Sequence, residues 1–478
     1  MGASRTGEPL VAGVDSSTQS CKIVVCEAMT GRLVRQGRAR HPEGTQVDAR
    51  AWWAAFEEAS ADGLLDGVSA LAVGGQQHGM VTLDAEENPV REAMLWNDTS
   101  SAPQAEQLIE ELGGAAQWVD AVDLVPVASF TATKLRWLAE NEPGNAARTE
   151  TVVLPHDWLT GRILAAGNGF EGWTTDRGDA SGTAYWSPVT GEYRRDLLRL
   201  AFGREVGLPR VLGPAEAAGS TAGGMLVAAG TGDNAAAALG LGIAPGDVVV
   251  SLGTSGAVFT VHDDSVGDVS GAVAGFADAT GRHLPLLATL NAARVLVAAA
   301  TTLDVDLAGL DALAAQAPIG AGGLTLLPFL DGERSPNLPT AHGTLTGMTR
   351  ANSTPAHFAR AYVEGMLCNL RGCLDALARN GIHARRMLLI GGAAAAGSVR
   401  EAAANIFGVP VVVPEPGEYV ALGAARQAAW ALSGAAEPPQ WPVPLAATVE
   451  PADAQAGAQV ARRYRDVLTM THPGAAVD

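Results

Sequence analysis

The chain has 478 residues, 47% of them hydrophobic, and 57 glycines; this excludes disorder, exceeds one ordinary core and fits a loop-rich α/β enzyme. Fifty-one acidic residues against 32 basic ones leave a formal net charge of −19. Nucleic acid and anionic membranes would be repelled, so an anionic substrate must be held by local donors and a metal.

The start matches a myristoylation pattern over Met1–Thr6, a match short enough to read as chance. No charged start followed by an apolar core opens the chain, and no apolar run reaches bilayer length, which predicts a soluble cytoplasmic protein. A first apolar strand, Leu10–Val14, ends in Asp15-Ser-Ser-Thr-Gln-Ser20 and resumes at Cys21–Val25, predicting a hairpin with a hydroxyl-rich turn. Cys21, Cys26, Cys368 and Cys373 lie in apolar runs with no C-x-x-C pairing, which predicts packed thiols in a reducing compartment.

Val47–Phe56 reads as a helix whose Trp52, Trp53 and Phe56 belong to the core. The apolar run Ala70–Gly74 then delivers Gly75-Gln-Gln-His-Gly79, and Met94-Leu-Trp96 delivers Asn97-Asp98. Leu154–Leu159 and Thr174–Gly182 add polar loop residues that turn formation alone would explain.

At the midpoint, Met225–Ala229 breaks into Gly230-Thr-Gly-Asp-Asn234 and then a run of alanines, the pattern of strand, tight turn and helix. Asp233 is thereby presented at a strand's carboxyl end, where open α/β sheets bind ligands; capping of the alanine helix explains it equally well. A second hairpin of the first one's layout follows, Asp247–Val250 leading through Ser251-Leu-Gly-Thr-Ser-Gly256 into Ala257–Val261. Superposed, Thr18 meets Thr254 and Ser20 meets Gly256, an internal repeat that predicts two domains of one ancestry. Thr354 or Ser353 with Pro355 opens the clearest helix, with Phe358, Tyr362, Met366, Leu370, Leu374 and Leu377 on an inward stripe and Asn380-Gly381 as its stop. Arg386–Ile390 is then a strand ending at Gly391-Gly392, Glu437–Pro444 an extended connector, and Val460, Tyr464, Val467 and Leu468 the buried face of a terminal helix.

Hairpin turns of Ser, Thr and Gly offer backbone N–H groups and hydroxyls to phosphate oxygens without a Walker lysine, and the sequence has no Walker or Rossmann glycine pattern. Two such turns flanking the Asp233 turn, with Gly391-Gly392, point to a nucleotide held between two lobes. A carboxylate placed between them suggests a base acting on an alcohol. Asp15 suits Mg²⁺ or an ordinary turn, and Lys22 a phosphate or solvent.

Gly13-Val-Asp-Ser-Ser-Thr18, Gly75-Gln-Gln-His-Gly-Met80, Leu95-Trp-Asn-Asp98, Phe130-Thr-Ala-Thr-Lys134, Gly232-Asp-Asn-Ala235, Ser251-Leu-Gly-Thr-Ser-Gly256, Gly332-Glu-Arg-Ser-Pro336 and Leu389-Ile-Gly-Gly392 together resemble the FGGY carbohydrate kinases over nearly the whole chain. The resemblance implies two actin-like (ribonuclease H-like) α/β domains, each a mixed sheet flanked by helices, with a catalytic cleft between them. It implies a sugar domain over 9-243, a nucleotide domain over 246-434, and a connector with docking helix over 435-478. The activity it implies is ATP- and Mg²⁺-dependent phosphorylation of a ketopentose, with D-xylulose the expected substrate. Ribulose, gluconate, a hexulose, or a silent sugar sensor are the alternatives.

Carried over by residue, Asp233 is the expected base and Asp15 the metal carboxylate. Gln77, His78, Asn97, Asp98 and Asn234 are expected on the sugar, and Ser17, Thr18, Lys22, Gly253, Thr254 and Ser255 on the phosphates. Gly391 and Gly392 are expected on the adenosine, and a homodimer is suggested. The chain departs from the family in its first loop, and at Ala393, where a third glycine is usual, so few side-chain contacts to adenine are expected. Glu333 and Arg334 either border the cleft or form an Arg-Glu pair that stabilises a loop.

Overall fold

Apolar runs buried on both faces belong at the centre of a sheet, and the first such run does form a central strand. In the computed structural model, which describes residues 7–475, the first sheet contains β1 (Leu10–Ser16), β2 (Ser20–Glu27), β3 (Leu33–Arg40), β4 (Val68–Gly75), β5 (Ala217–Ser220) and β6 (Leu226–Ala228). Their order is β3-β2-β1-β4-β6-β5. β1 runs antiparallel to β2 and parallel to β4, β6 is parallel to β4, and β5 is antiparallel to β6.

The second sheet holds β7 (Asp247–Leu252), β8 (Gly256–Thr260), β9 (His283–Thr289), β10 (Arg386–Ile390), β11 (Val411–Pro414) and β12 (Leu445–Val449). Its order β9-β8-β7-β10-β11-β12 repeats the first sheet strand for strand, directions included. The expected duplication is therefore present in the sheet topology as well as in the two hairpins. The Met1–Thr6 pattern lies outside the described residues.

Packing divides the chain into two units, Met1–Ile243 with Asp263–Leu284 and Glu418–Pro442, and Ala244–His262 with Pro285–Gly417 and Val443–Asp478. This partition differs from the expected boundaries at 246-434 and 435-478. The physical reason is a helix of small residues, Tyr419–Ser433. It lays Ala421, Ala424, Ala425, Ala428 and Ala429 on Val11, Val24, Ala70, Ala72 and Ala228 of the first sheet. The connector read as merely extended leads into β12, which pairs with β11.

Six helices position or support the candidate site and its surroundings: α1 (Pro155–Ala166), α2 (Arg177–Ser181), α3 (Asp233–Leu241), α4 (Pro355–Arg379), α5 (Gly397–Phe407) and α6 (Tyr419–Ser433). Thr354 caps α4 through its hydroxyl, as its sequence predicts. α4 also buries an Arg360–Glu364 pair at 2.7 Å, a polar pairing that its apolar stripe does not foretell. Trp52 and Phe56 lie in the core, and all four cysteines are free and buried. No described helix is long and apolar enough to cross a membrane.

α6 presses on α3, whose first residue is Asp233. A Cβ on Gly423 would lie 1.8 Å from the Ala236 carbonyl, and one on Gly240 would lie 2.2 Å from that of Tyr419. Neither neighbour can yield, because both are helix backbone. Gly423→Ala is therefore expected to lose about 1–3 kcal/mol by overpacking, read as a lowered midpoint in urea.

Candidate active site

Asp15 and Asp233 reach the same end of the first sheet by different strands. Asp15 lies opposite Gly74 of β4 on one side. On the other side Thr231 and Gly232 pair with Gly74 and Gly75, and Asp233 follows at once. This is the carboxyl end of parallel strands, where ligands bind in such sheets. Gly230 has φ +77°, which permits the sharp entry into the turn.

Asp233 does not cap its helix. Gly232 occupies the N-cap, and Asp233 Oδ1 accepts from the backbone and side-chain nitrogens of Asn234 at 2.7 and 2.8 Å. The residue keeps some solvent exposure, yet its carboxyl is set deep among protein atoms. Burial first, and then the like charge of Asp15, push it up to about 7.

Asp15 Oδ1 accepts from the backbone of Ser17 at 3.1 Å and from its hydroxyl, and Lys22 stands 3.4 Å from Oδ2. Burial outweighs these partners and raises the Asp15 carboxyl. Lys22 also donates to Glu418 at 2.6 Å. Burial works against its charge, but Asp15 and Glu418 together hold the ammonium protonated. Lys22 is thus a bridge between β2 and the start of α6, and reaching a phosphate would require it to leave these partners. The Thr18 hydroxyl accepts from Trp96 Nε1 at 2.8 Å, which leaves its own hydrogen to donate.

The residues expected on the sugar surround this end of β4. Gln77 Nε2 donates to the Gly178 carbonyl at 3.5 Å, and Gln77 packs where a Cβ on Gly232 would sit. His78, at φ +70°, donates through Nδ1 to the Gly182 carbonyl at 2.9 Å and stacks near Phe130 and Phe276. In the neutral ring Nε2 is then the acceptor. Asn97 Oδ1 is buried with no hydrogen-bond partner among the described residues. Asp98 differs from its neighbours: its oxygens accept from Gln46 at 2.8 Å and from the Ser100 backbone at 2.9 Å, so it anchors the loop that carries Asn97.

Sequence reasoning missed two features here. Gln76 is 1% exposed with neither amide atom paired, although the Gln-Gln-His run held the signal. Beneath the turn, His156, Asp157 and Asp179 form a fully buried group with metal-ligand spacing. His156 Nδ1 lies 2.6 Å from Asp179 and 3.2 Å from Asp157, and Nε2 lies 3.2 Å from the Ala229 carbonyl. Acceptors on both sides make it a two-donor imidazolium with no lone pair for a metal. Burial opposes that charge, but Asp157 and Asp179 outweigh it and lift the ring to about 10.

In the second unit, Gly253, Thr254 and Ser255 form the turn between β7 and β8, since Leu252 pairs with Gly256. Gly391 follows β10, the parallel neighbour of β7. At φ +92°, a Cβ there would lie 2.5 Å from the Leu252 carbonyl, so the two turns share one end of the second sheet. Gly392–Ala395 forms a single 3₁₀ turn, and the Gly397 and Ser398 amides that start α5 donate to Asp311 at 3.0 and 2.7 Å. Glu333 accepts from the Leu290 and Arg334 backbones and from Asn291 and Asn369 at 2.6–3.0 Å. Its partners are amides rather than the Arg334 guanidinium, so Glu333 anchors its loop without the expected Arg-Glu pair.

The arrangement sets a carboxyl of raised pKa close to the Gln77 amide, with hard oxygen donors on the Asp15 turn. A carboxylate with the Ser17 and Thr18 hydroxyls is a donor set that suits Mg²⁺. The N-terminal domain profile of the FGGY family of carbohydrate kinases matches residues 10–240, and its C-terminal domain profile matches residues 248–432. A xylulose kinase of Streptomyces coelicolor is 47% identical over 443 residues, 89% of each chain. One of Haemophilus influenzae is 32% identical over 88% of this chain and 90% of its own. The crystal structure of xylulose kinase from Bifidobacterium adolescentis superposes with a TM-score of 0.88 at 47% identity, covering 96% of this chain and 99% of that one.

Proposed function

The chain belongs to the FGGY family of carbohydrate kinases, and from that premise we propose that it transfers the γ-phosphoryl group of ATP to the terminal hydroxyl of D-xylulose, giving D-xylulose 5-phosphate and ADP. The observation that carries the substrate is the 47% identity to xylulose kinases over most of both chains. Asp233, with its raised pKa and its place at the strand end, supports the chemistry.

Asp233 accepts the proton of the sugar's terminal hydroxyl as that oxygen bonds to the γ-phosphorus and the bond to the ADP oxygen breaks. Asn234 holds Asp233 Oδ1 through two donors and so aims the other oxygen. Gln77, His78 and Asn97 pair with the remaining hydroxyls, and the unpartnered Asn97 Oδ1 fits a hydroxyl donor. Buried polar partners of this kind discriminate sugars far better than apolar walls. In the first unit the Ser17-Thr18 turn offers hydroxyls and backbone N–H groups to phosphate oxygens, and in the second unit the Gly253–Ser255 turn offers the same donors. Mg²⁺ bound near Asp15 would supply charge neutralisation on the phosphates.

ADP release with Mg·ATP across D-xylulose, ribulose, gluconate and hexuloses tests the reading. D-xylulose is expected to give the highest kcat/KM. A higher value for any other acceptor, or turnover with none, would refute the assigned substrate.

A further inference from the structure

The short helix α2 joins parts of the first unit that come from four distant stretches of sequence. On the Asp233 side, Asp176 caps α2, accepting from the Gly178 backbone at 2.7 Å and the Asp179 backbone at 2.9 Å. The same Asp176 Oδ2 accepts the Thr231 hydroxyl at 2.7 Å, two residues before Asp233. On the sugar side, the carbonyls of Gly178 and Gly182 accept from Gln77 and His78. Below, His156 clamps Asp179 of α2 and the Ala229 carbonyl that precedes the catalytic turn.

Asp176, Asp179, Thr231 and His156 are at most 3% exposed. A Cβ on Gly178 would lie 2.9 Å from Asp176 Oδ2 and 3.0 Å from Thr231 Oγ1, so the bond between them is tightly enclosed. The turn itself, with glycines at 230 and 232, has little intrinsic stiffness. A hydroxyl bonded to a buried carboxylate is charge-assisted and strengthened by its low-dielectric surroundings. That bond supplies the rigidity the glycines lack.

We propose that Asp176 is a positioning residue for phosphoryl transfer: through the Thr231 hydroxyl it fixes the turn carrying Asp233 relative to the loop carrying Gln77 and His78. The inference rests on Asp233 being the base. A displacement of about 1 Å in a reacting group costs on the order of 10²-fold in rate, so loosening this bond is expected to act on kcat.

Thr231→Val removes the hydroxyl at nearly constant volume, and Thr231→Ser keeps it. With D-xylulose and Mg·ATP, Thr231→Val is expected to lower kcat by about 10- to 100-fold. The ketose Kd, measured by calorimetry, should move by less than about threefold, and Thr231→Ser should restore kcat to within about threefold of the parent. If Thr231→Val does not fold, Thr231→Ala carries the same expectations. A hydroxyl-free variant with parental kcat, a loss confined to Kd, or a Thr231→Ser variant as slow as valine would each overturn the proposal. Asp233→Asn run in parallel separates the two claims: rapid turnover there refutes the base, whereas slow turnover there with a fast Thr231→Val refutes only the positioning role.

Discussion

Asp233→Ala is expected to lower kcat by at least about 10²-fold, the low end of what a general base contributes, while ketose binding persists. Binding should survive because Gln77 and His78, and the Asp98-anchored loop that carries Asn97, are held by groups other than Asp233. Calorimetric titration with D-xylulose beside steady-state turnover checks both halves. Near-parental turnover in the alanine variant would remove Asp233 from the chemistry. Late proton transfer would need only an ordinary carboxylate of about 4, but burial and Asp15 set this one higher, at about 7. In the proposed role this makes Asp233 a better-matched base, at the cost of losing it to protonation below neutrality.

The second large effect is expected at His156. Its imidazolium compensates two carboxylates that have no exposure to water, and removing one partner of a buried ionic group costs about 3–5 kcal/mol. His156→Gln should therefore unfold at markedly lower denaturant, and a shift under about 1 kcal/mol would contradict the cationic assignment.

The same group sets a pH dependence. His156 is raised to about 10, so its stabilisation is complete below the unfolded value of about 6.5 and is lost as pH rises through 10. Asp157 and Asp179 are raised to about 7 and about 6, so each destabilises increasingly above its unfolded value. In all three cases the folded state binds more protons than the unfolded one, and stability falls with rising pH. Tm should decline from pH 6 to pH 10. Stability and activity are then expected to favour opposite sides of neutrality, because the proposed base Asp233 must be ionised to accept a proton.

How much the sequence discloses depends on where each partner lies along the chain. The two hairpins, the Asp233 turn and the Thr354-capped helix are local: strand, turn and cap residues stand within a few positions of each other, and periodicity exposes them. The pairing of Asp176 with Thr231, and of His156 with Asp179, joins segments 55 and 23 residues apart. Read along the chain, Thr174–Gly182 looks like turn-forming residues and no more. Lys22 fits a phosphate ligand until Glu418, 396 residues away, is seen to hold it. α6 lies in sequence between β11 and β12 of the second sheet but packs on the first, and nothing short of its alanine and glycine contacts with β1 and α3 reveals that. The resemblance to a kinase family pointed to Asp233 and the hydroxyl turns, yet carried no information about the bonds that support them.

The pH profile of kcat/KM at subsaturating D-xylulose and Mg·ATP examines the role of Asp233 most directly, since it reports ionisation in the free enzyme. An acid limb with an apparent pKa near 7 is predicted for the parent. It should move lower in kcat as bound Mg²⁺ offsets the Asp15 charge, and be absent from the residual activity of Asp233→Asn. A flat profile between pH 5 and 8, or the same limb in Asp233→Asn, would contradict the account.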